Sequence, residues 1–239
     1  ATMTTILGIC DSLSFVGCRV VLAEILRRES AHGDVREGHN WNLESALAPA
    51  FSLANAHQAG AGGKLSHVEM YHGDGSTLSL AAVNAAVPAD EAVQCAVDLM
   101  EVLSSRRSLN HLIILTSLRF VAHGHGGSPF AVMFNGADEK HMPEGVHSFQ
   151  PLPANTIIND AFLSNLLTAA RGLGLPVTLI AVSCISSSGV DEEMQTLRQV
   201  LSSIVGHECP SGDSVLNCEL SPARYTDALV ETNGNFLYT

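Results

Sequence analysis

The chain has 239 residues, enough to bury a substantial core in one large domain or two small ones. Hydrophobic residues make up 46%, mean hydropathy is +0.21, and only 15% of residues are charged against a usual share of about 25%, which favours a folded protein with a buried partner face. The formal charge of −12, with Lys64 and Lys140 the only lysines, leaves no basic stripe for nucleic acid or anionic membrane, and no apolar run approaches the roughly 18–20 residues that span a bilayer.

The opening residues Ala1-Thr2-Met3-Thr4-Thr5 lack a basic region followed by an apolar stretch, so no signal peptide is read there. Thr4 to Cys10 reads as a buried strand. Asp11 and Ser12 then offer caps for a helix whose core side carries Phe15, Val16, Val20, Leu22 and Ile25 or Leu26. After Ser30 the pattern dissolves; residues 31–63 are rich in His, Ala, Gly and Asn, with a short helix expected around Leu43–Leu53. The Gly60-Ala61-Gly62-Gly63 stretch reads as a flexible loop. Strand character returns at Ser66–His72, and Gly73-Asp74-Gly75 is a turn signal before a second run at Thr77–Val87, so the two should form a hairpin.

A helix is expected from about Asp90, with Val93, Val97, Met100 and Leu103 at helical spacing. Leu109–Leu118 is the clearest strand, and its unbroken Leu112-Ile113-Ile114-Leu115 suits a central position covered on both faces. Residues 119–151, which contain Gly124, Gly126, Gly127, Pro129, Pro143 and Pro151, read as a long irregular segment and, like 31–63, as a flexible loop, the kind that is usually functional or partly disordered. Asn159 then caps a helix bearing Phe162, Leu163, Leu166, Leu167 and Ala170, which stops at Gly172–Gly174. Pro176 opens another buried strand through Cys184. Asp191–Val205 makes a further helix with Met194, Leu197, Leu201 and Ile204 on one side, and Ser221-Pro222 starts a short last helix that ends at Asn233-Gly234. Strands alternating with helices, with one hairpin among them, argue for a single α/β domain on a mixed, largely parallel sheet.

Chemical motifs are weak. Gly60 to Lys64 fails as a phosphate loop, because Gln58 stands where the first glycine belongs and Leu65 where Ser or Thr is needed. No nucleophile elbow appears, and Ser186-Ser187-Ser188-Gly189 reads as a polar turn. His123 and His125 are the best metal candidates, but two ligands on a glycine-rich segment do not make a site, so neither a metal nor a cofactor is expected. Cys10 and Asp11 lack a histidine tied to them and read as a core thiol and a helix cap. The six cysteines include no C-x-x-C pair and read as free, buried thiols, with a Cys209–Cys218 disulfide the less favoured alternative. No catalytic residue is assigned.

The sequence ends Asn233-Gly234-Asn235-Phe236-Leu237-Tyr238-Thr239. An apolar residue, a tyrosine and a terminal carboxylate together form a ligand: a knob, a flat ring with a hydroxyl, and a fixed anion of the kind that backbone amides or a lysine capture. Chance ends roughly one chain in a hundred this way, so the tail is a lead that needs support.

Support comes from a resemblance. The ending from Glu231 to Thr239, the strand His111-Leu112-Ile113-Ile114-Leu115-Thr116-Ser117, Ser128-Pro129-Phe130, Ile157-Ile158-Asn159-Asp160 and Leu175-Pro176-Val177 together resemble the proteasome assembly chaperone family, on the pattern of its chaperone 1 branch. These pieces span most of the chain in order; the stretches 31–63 and 119–150 do not match. The resemblance implies a phosphorylase-like α/β architecture and a non-enzymatic chaperone of the 20S proteasome, in the cytoplasm and also the nucleus. It implies a heterodimer with proteasome assembly chaperone 2 on the outer face of the α-ring, where it guides assembly and blocks off-pathway association. It divides the chain into a domain over residues 1–232 and a docking tail over 233–239. In the implied pocket between α-subunits, Leu237 fills apolar space, Tyr238 packs and hydrogen-bonds, and the Thr239 carboxylate pairs with a lysine. The competing readings are a phosphorylase-like or hydrolase-like enzyme, suggested by fold class alone, and the paired or homodimeric relative within the same family.

Overall fold

Four apolar runs become the parallel centre of one sheet. β1 (Met3–Gly8) lies between β4 (Leu78–Val83) and β5 (Leu109–Leu118), and β5 is flanked on its other side by β8 (Val177–Ser183), every pairing parallel. The structure, a computed structural model, describes residues 3–10, 16–32, 35–39, 67–73, 76–105, 109–118, 130–134, 149–153, 156–183 and 190–206.

The unbroken apolar run in β5 follows from burial on both faces, because successive side chains point to opposite sides of a strand. Leu112 and Ile114 enter one core with α2 (Ala92–Ser105) and α3 (Ala161–Gly172). Ile113 and Leu115 enter the other with α1 (Val16–His32) and α4 (Val190–Val205). The result is a three-layer α/β domain on a mixed, mostly parallel sheet flanked by helices, as the sequence pattern predicts.

Antiparallel pairings enter on both sides of this centre, and only the last pair, β6 with β7, is parallel again. β3 (Val68–His72) pairs with β4 as the expected hairpin, Met70 opposite Ala81. β2 (Val35–His39) pairs with β3 along five residues, so a strand lies where the sequence pattern dissolves, and α1 runs to His32 rather than stopping at Ser30. Val-Arg-Glu-Gly-His has no alternation to read; backbone pairing to β3 makes it a strand. On the far side, β6 (Phe130–Phe134) runs antiparallel to β8, and the two-residue β7 (Gln150–Pro151) pairs with β6. The segment 119–151 therefore contains an ordered strand instead of being irregular throughout. The full order is β2-β3-β4-β1-β5-β8-β6-β7, and Pro151 falls on an edge strand, where a missing N–H is tolerated.

Two helices differ from expectation in phase or cap. α2 buries Ala92, Cys95, Ala96, Leu99, Met100 and Leu103, whereas Val93 and Val97 are 60% and 49% exposed. The buried set recurs at i, i+3, i+4, i+7, i+8 and i+11, a complete helical face once Ala and Cys count as apolar. α3 is capped by Asp160 rather than Asn159: the Asp160 carboxylate accepts from the Leu163 amide at 2.7 Å. Its end matches expectation. Gly174 adopts φ +64°, and the Gly174 and Leu175 amides donate to the carbonyls of Arg171 and Ala170, a Schellman closure that turns the chain into β8. α4 buries Met194, Leu197, Val200 and Leu201 and half-buries Ile204, close to the face that its spacing predicts.

Candidate functional site

In an open α/β sheet, ligands bind outside the carboxyl ends of the strands, at the point where successive connections diverge. Here that point lies between β1, whose chain returns through β4, and β5, whose chain proceeds to β8. The described residues fill it with backbone. A Cβ on Gly8 would fall on the carbonyl of Gly17, and a Cβ on Gly17 on the carbonyl of Leu115, so the first turn of α1 lies against the end of β1 and against β5 at Leu115, before that strand's own end. The Cys18 amide donates to the Ile9 carbonyl at 3.1 Å, and the Ile9 amide to the Leu115 carbonyl at 3.4 Å. The polar side chains of Asn84, Thr116 and Ser117 at the strand ends are all buried. Segments 11–15, 119–129 and 184–189, which continue from these ends, lie outside the described residues, and Asp11, Ser12, the Ser186–Gly189 turn and Cys184 lie among them.

The cysteines within the described residues behave as small hydrophobes. Cys10, Cys18 and Cys95 are buried and not joined in a disulfide. Burial pushes the Cys95 thiol up to about 11, with the charges of Glu91 and Asp98 adding to the effect, so the protonated thiol is favoured at neutral pH. Cys209 and Cys218 lie outside the described residues.

The strongest charged cluster serves the core. Glu24 of α1 is 1% exposed. It accepts from Arg27 Nε at 2.8 Å, Arg27 Nη2 at 2.7 Å and Arg28 Nε at 2.6 Å. Burial alone would raise the Glu24 pKa, but the hydrogen bonds and charges of Arg27 and Arg28 outweigh it and hold the carboxyl below its usual value. The Arg28 guanidinium lies 5.6 Å from the centroid of the Tyr71 ring on β3, so the cluster ties α1 to the hairpin. The i, i+3 and i, i+4 spacing of Glu24, Arg27 and Arg28 is visible in the sequence as a helix-surface pattern. Elsewhere in the sheet, His111 Nε2 and Thr178 Oγ1 stand 2.9 Å apart across β5 and β8, a satisfied buried pair.

The predicted docking residues Leu237, Tyr238 and Thr239, with the helix expected from Ser221, lie outside the described residues, as do His123 and His125. Among the described residues no group of three or more His, Cys, Asp or Glu side chains is placed to hold a metal ion, and no helix is long and apolar enough to cross a membrane.

No protein-family model matches the chain, and none of the curated proteins does. Solved structures do. A Thermoplasma acidophilum protein of unknown function superposes with a TM-score of 0.58 at 14% identity, over 96% of this chain and 83% of that one. Pyrococcus furiosus PbaA, described as an archaeal homolog of proteasome-assembly chaperone, gives 0.53 at 14% identity over 96% and 89%. PbaB of the same organism, described as an archaeal proteasome activator, gives 0.50 at 12% identity over 97% and 91%. At such identities the likeness is one of fold. The chain thus has the α/β fold found in proteins described as proteasome-assembly-chaperone homologues.

Proposed function

We propose that the chain is a non-enzymatic chaperone of 20S proteasome assembly. The observation that carries this reading is the fold shared with PbaA over 96% of the chain, taken with the hydrophobic-Tyr-X ending. In the finer form of the proposal, residues 1–232 form a phosphorylase-like chaperone domain and 233–239 a docking tail. The domain pairs with proteasome assembly chaperone 2, in cytoplasm and nucleus, and the tail enters a pocket between α-subunits. Leu237 fills apolar space there, Tyr238 packs and hydrogen-bonds, and the Thr239 carboxylate meets a lysine.

The test is a pull-down of purified α-subunits by the full chain, with and without its chaperone partner. Deleting Leu237–Thr239, or Tyr238→Ala, should weaken binding at least tenfold while leaving the thermal melt unchanged. Loss of a buried aromatic anchor commonly costs about 2 kcal/mol or more, roughly thirtyfold at room temperature. Undiminished binding removes the tail from the mechanism; no binding by the intact heterodimer refutes the chaperone reading itself.

A further inference from the structure

Two cysteines stand where the chain leaves β1 and enters α1. The Cys18 amide donates to the Ile9 carbonyl at 3.1 Å, and the standard bond lengths on either side of that hydrogen bond keep the Cα atoms of Cys10 and Cys18 within about 7 Å of each other. Two glycines reinforce the approach: a Cβ on Gly8 would meet the Gly17 carbonyl and the Val21 side chain, so strand and helix lie backbone to backbone. The two cysteine side chains also enter the same space. Leu7 and Ile9 belong to the core shared with α2 and α3, whereas Ile6 and Cys10 belong to the core shared with α1 and α4, so strand alternation continues through Cys10. Cys18 lies in that second core too, and the pair are 4% and 3% exposed. Neither is joined in a disulfide. Cys95 sits in the opposite core, with the sheet between it and the pair.

Disulfides join cysteines whose Cα atoms stand about 4.4–6.8 Å apart, a separation that this contact allows. We propose that Cys10 and Cys18 are a thiol pair that a small-molecule disulfide, such as oxidised glutathione, converts to an intramolecular disulfide within the folded chain. One cysteine thiolate attacks a glutathione sulfur and expels the first glutathione thiolate. The other cysteine sulfur then attacks the mixed disulfide, forms the Cys10–Cys18 bond and expels the second, and the two thiol protons pass to the released glutathiones. The fold contributes by holding both ends of the stretch 10–18 in place before the bond forms. Oxidation then pins the first turn of α1 to the end of β1. Both thiols are buried, so glutathione enters through local opening and the reaction is read at equilibrium. This inference is independent of the proteasomal reading, since it uses no residue of the tail.

The test equilibrates the full chain in glutathione buffers of graded redox ratio, quenches with acid, alkylates in denaturant and digests with trypsin. The tryptic peptide Ala1–Arg19 carries both cysteines and no others. From the oxidised chain it should emerge unalkylated and two hydrogens lighter than the free dithiol. Cysteines this close in sequence also pair in an unfolded chain, so the same titration is run in urea. The value of [GSH]²/[GSSG] at half oxidation should be at least tenfold higher for the folded chain. The oxidised chain should also melt at a higher temperature than the reduced one, and dithiothreitol should reverse both effects. Cys10→Ala should abolish the oxidant-dependent rise in melting temperature; if that variant does not fold, the titration of the unaltered chain decides. An equal or lower ratio in the folded chain, stable glutathione adducts in place of the intramolecular bond, or a rise that persists in Cys10→Ala would each overturn the inference.

Discussion

Glu24→Gln removes one charge from the inside of α1 while keeping the side chain's shape and one acceptor oxygen. The native carboxylate receives three donors from Arg27 and Arg28 at 2.6–2.8 Å and is 1% exposed. Hydrogen bonds to a charged group contribute about 1.5–3 kcal/mol, and stripping one partner from a fully buried pair costs about 3–5 kcal/mol. The arginine side chains keep 28% and 17% of their exposure, so water compensates them in part. The expected loss is therefore about 2 kcal/mol at neutral pH. With a urea slope of about 3 kcal/mol per molar, the unfolding midpoint should fall by about 0.7 M.

The pH dependence separates charge from shape. The folded-state pKa of Glu24 is depressed below its ordinary 4.5, so its contribution is present above that value and is lost as pH falls through the lower folded value. The stability gap between the native chain and the Glu24→Gln variant should be full at pH 7 and close progressively below about pH 4.5. Urea melts followed by circular dichroism at a series of pH values measure it. An unchanged midpoint at pH 7, or a gap that persists undiminished in acid, would refute the ion-pair account.

Gly17→Ala should cost at least about 1–3 kcal/mol, because its Cβ meets the backbone carbonyl of Leu115, which has no rotamer by which to yield. Gly172→Ala, whose Cβ meets nothing within 4 Å, is the control and should be neutral or stabilising in the same thermal melt. Cys95 should resist alkylation in the native state at pH 8 and react only as pH approaches 11, by peptide mass mapping. Its thiolate is disfavoured in the fold, so stability present in full below 9.0 is lost as pH rises towards about 11, and Cys95→Ala should flatten the alkaline limb of the stability profile.

The clearest misreading in the sequence concerns α2. Val93, Val97, Met100 and Leu103 fit helical spacing, but burial follows Ala92, Cys95, Ala96, Leu99, Met100 and Leu103. Small residues let a helix approach a sheet closely, and a count that favours bulky side chains overlooks them. The Glu24 cluster is legible as spacing, but its burial is not, because a charged i, i+4 triad usually stands in solvent. The glycine contact at the strand ends has no sequence signature, since Gly8 and Gly17 meet only when strand and helix are assembled.

Sequence alone determined the four parallel strands, the β3–β4 hairpin and the four long helices, because burial on both faces demands continuous apolar runs and seated helices demand periodic ones. It also supplied the ending Leu237-Tyr238-Thr239 on which the proposed docking rests. Tertiary structure decided the edges and the phases. Val35–His39 and Phe130–Phe134 became strands through backbone bonds to neighbours already in place. Which face of α2 meets the sheet was likewise chosen by the fit of side chains against strands remote in sequence. Backbone pairing at an edge is indifferent to side-chain pattern, and packing depends on the partner surface, so neither is carried by local sequence.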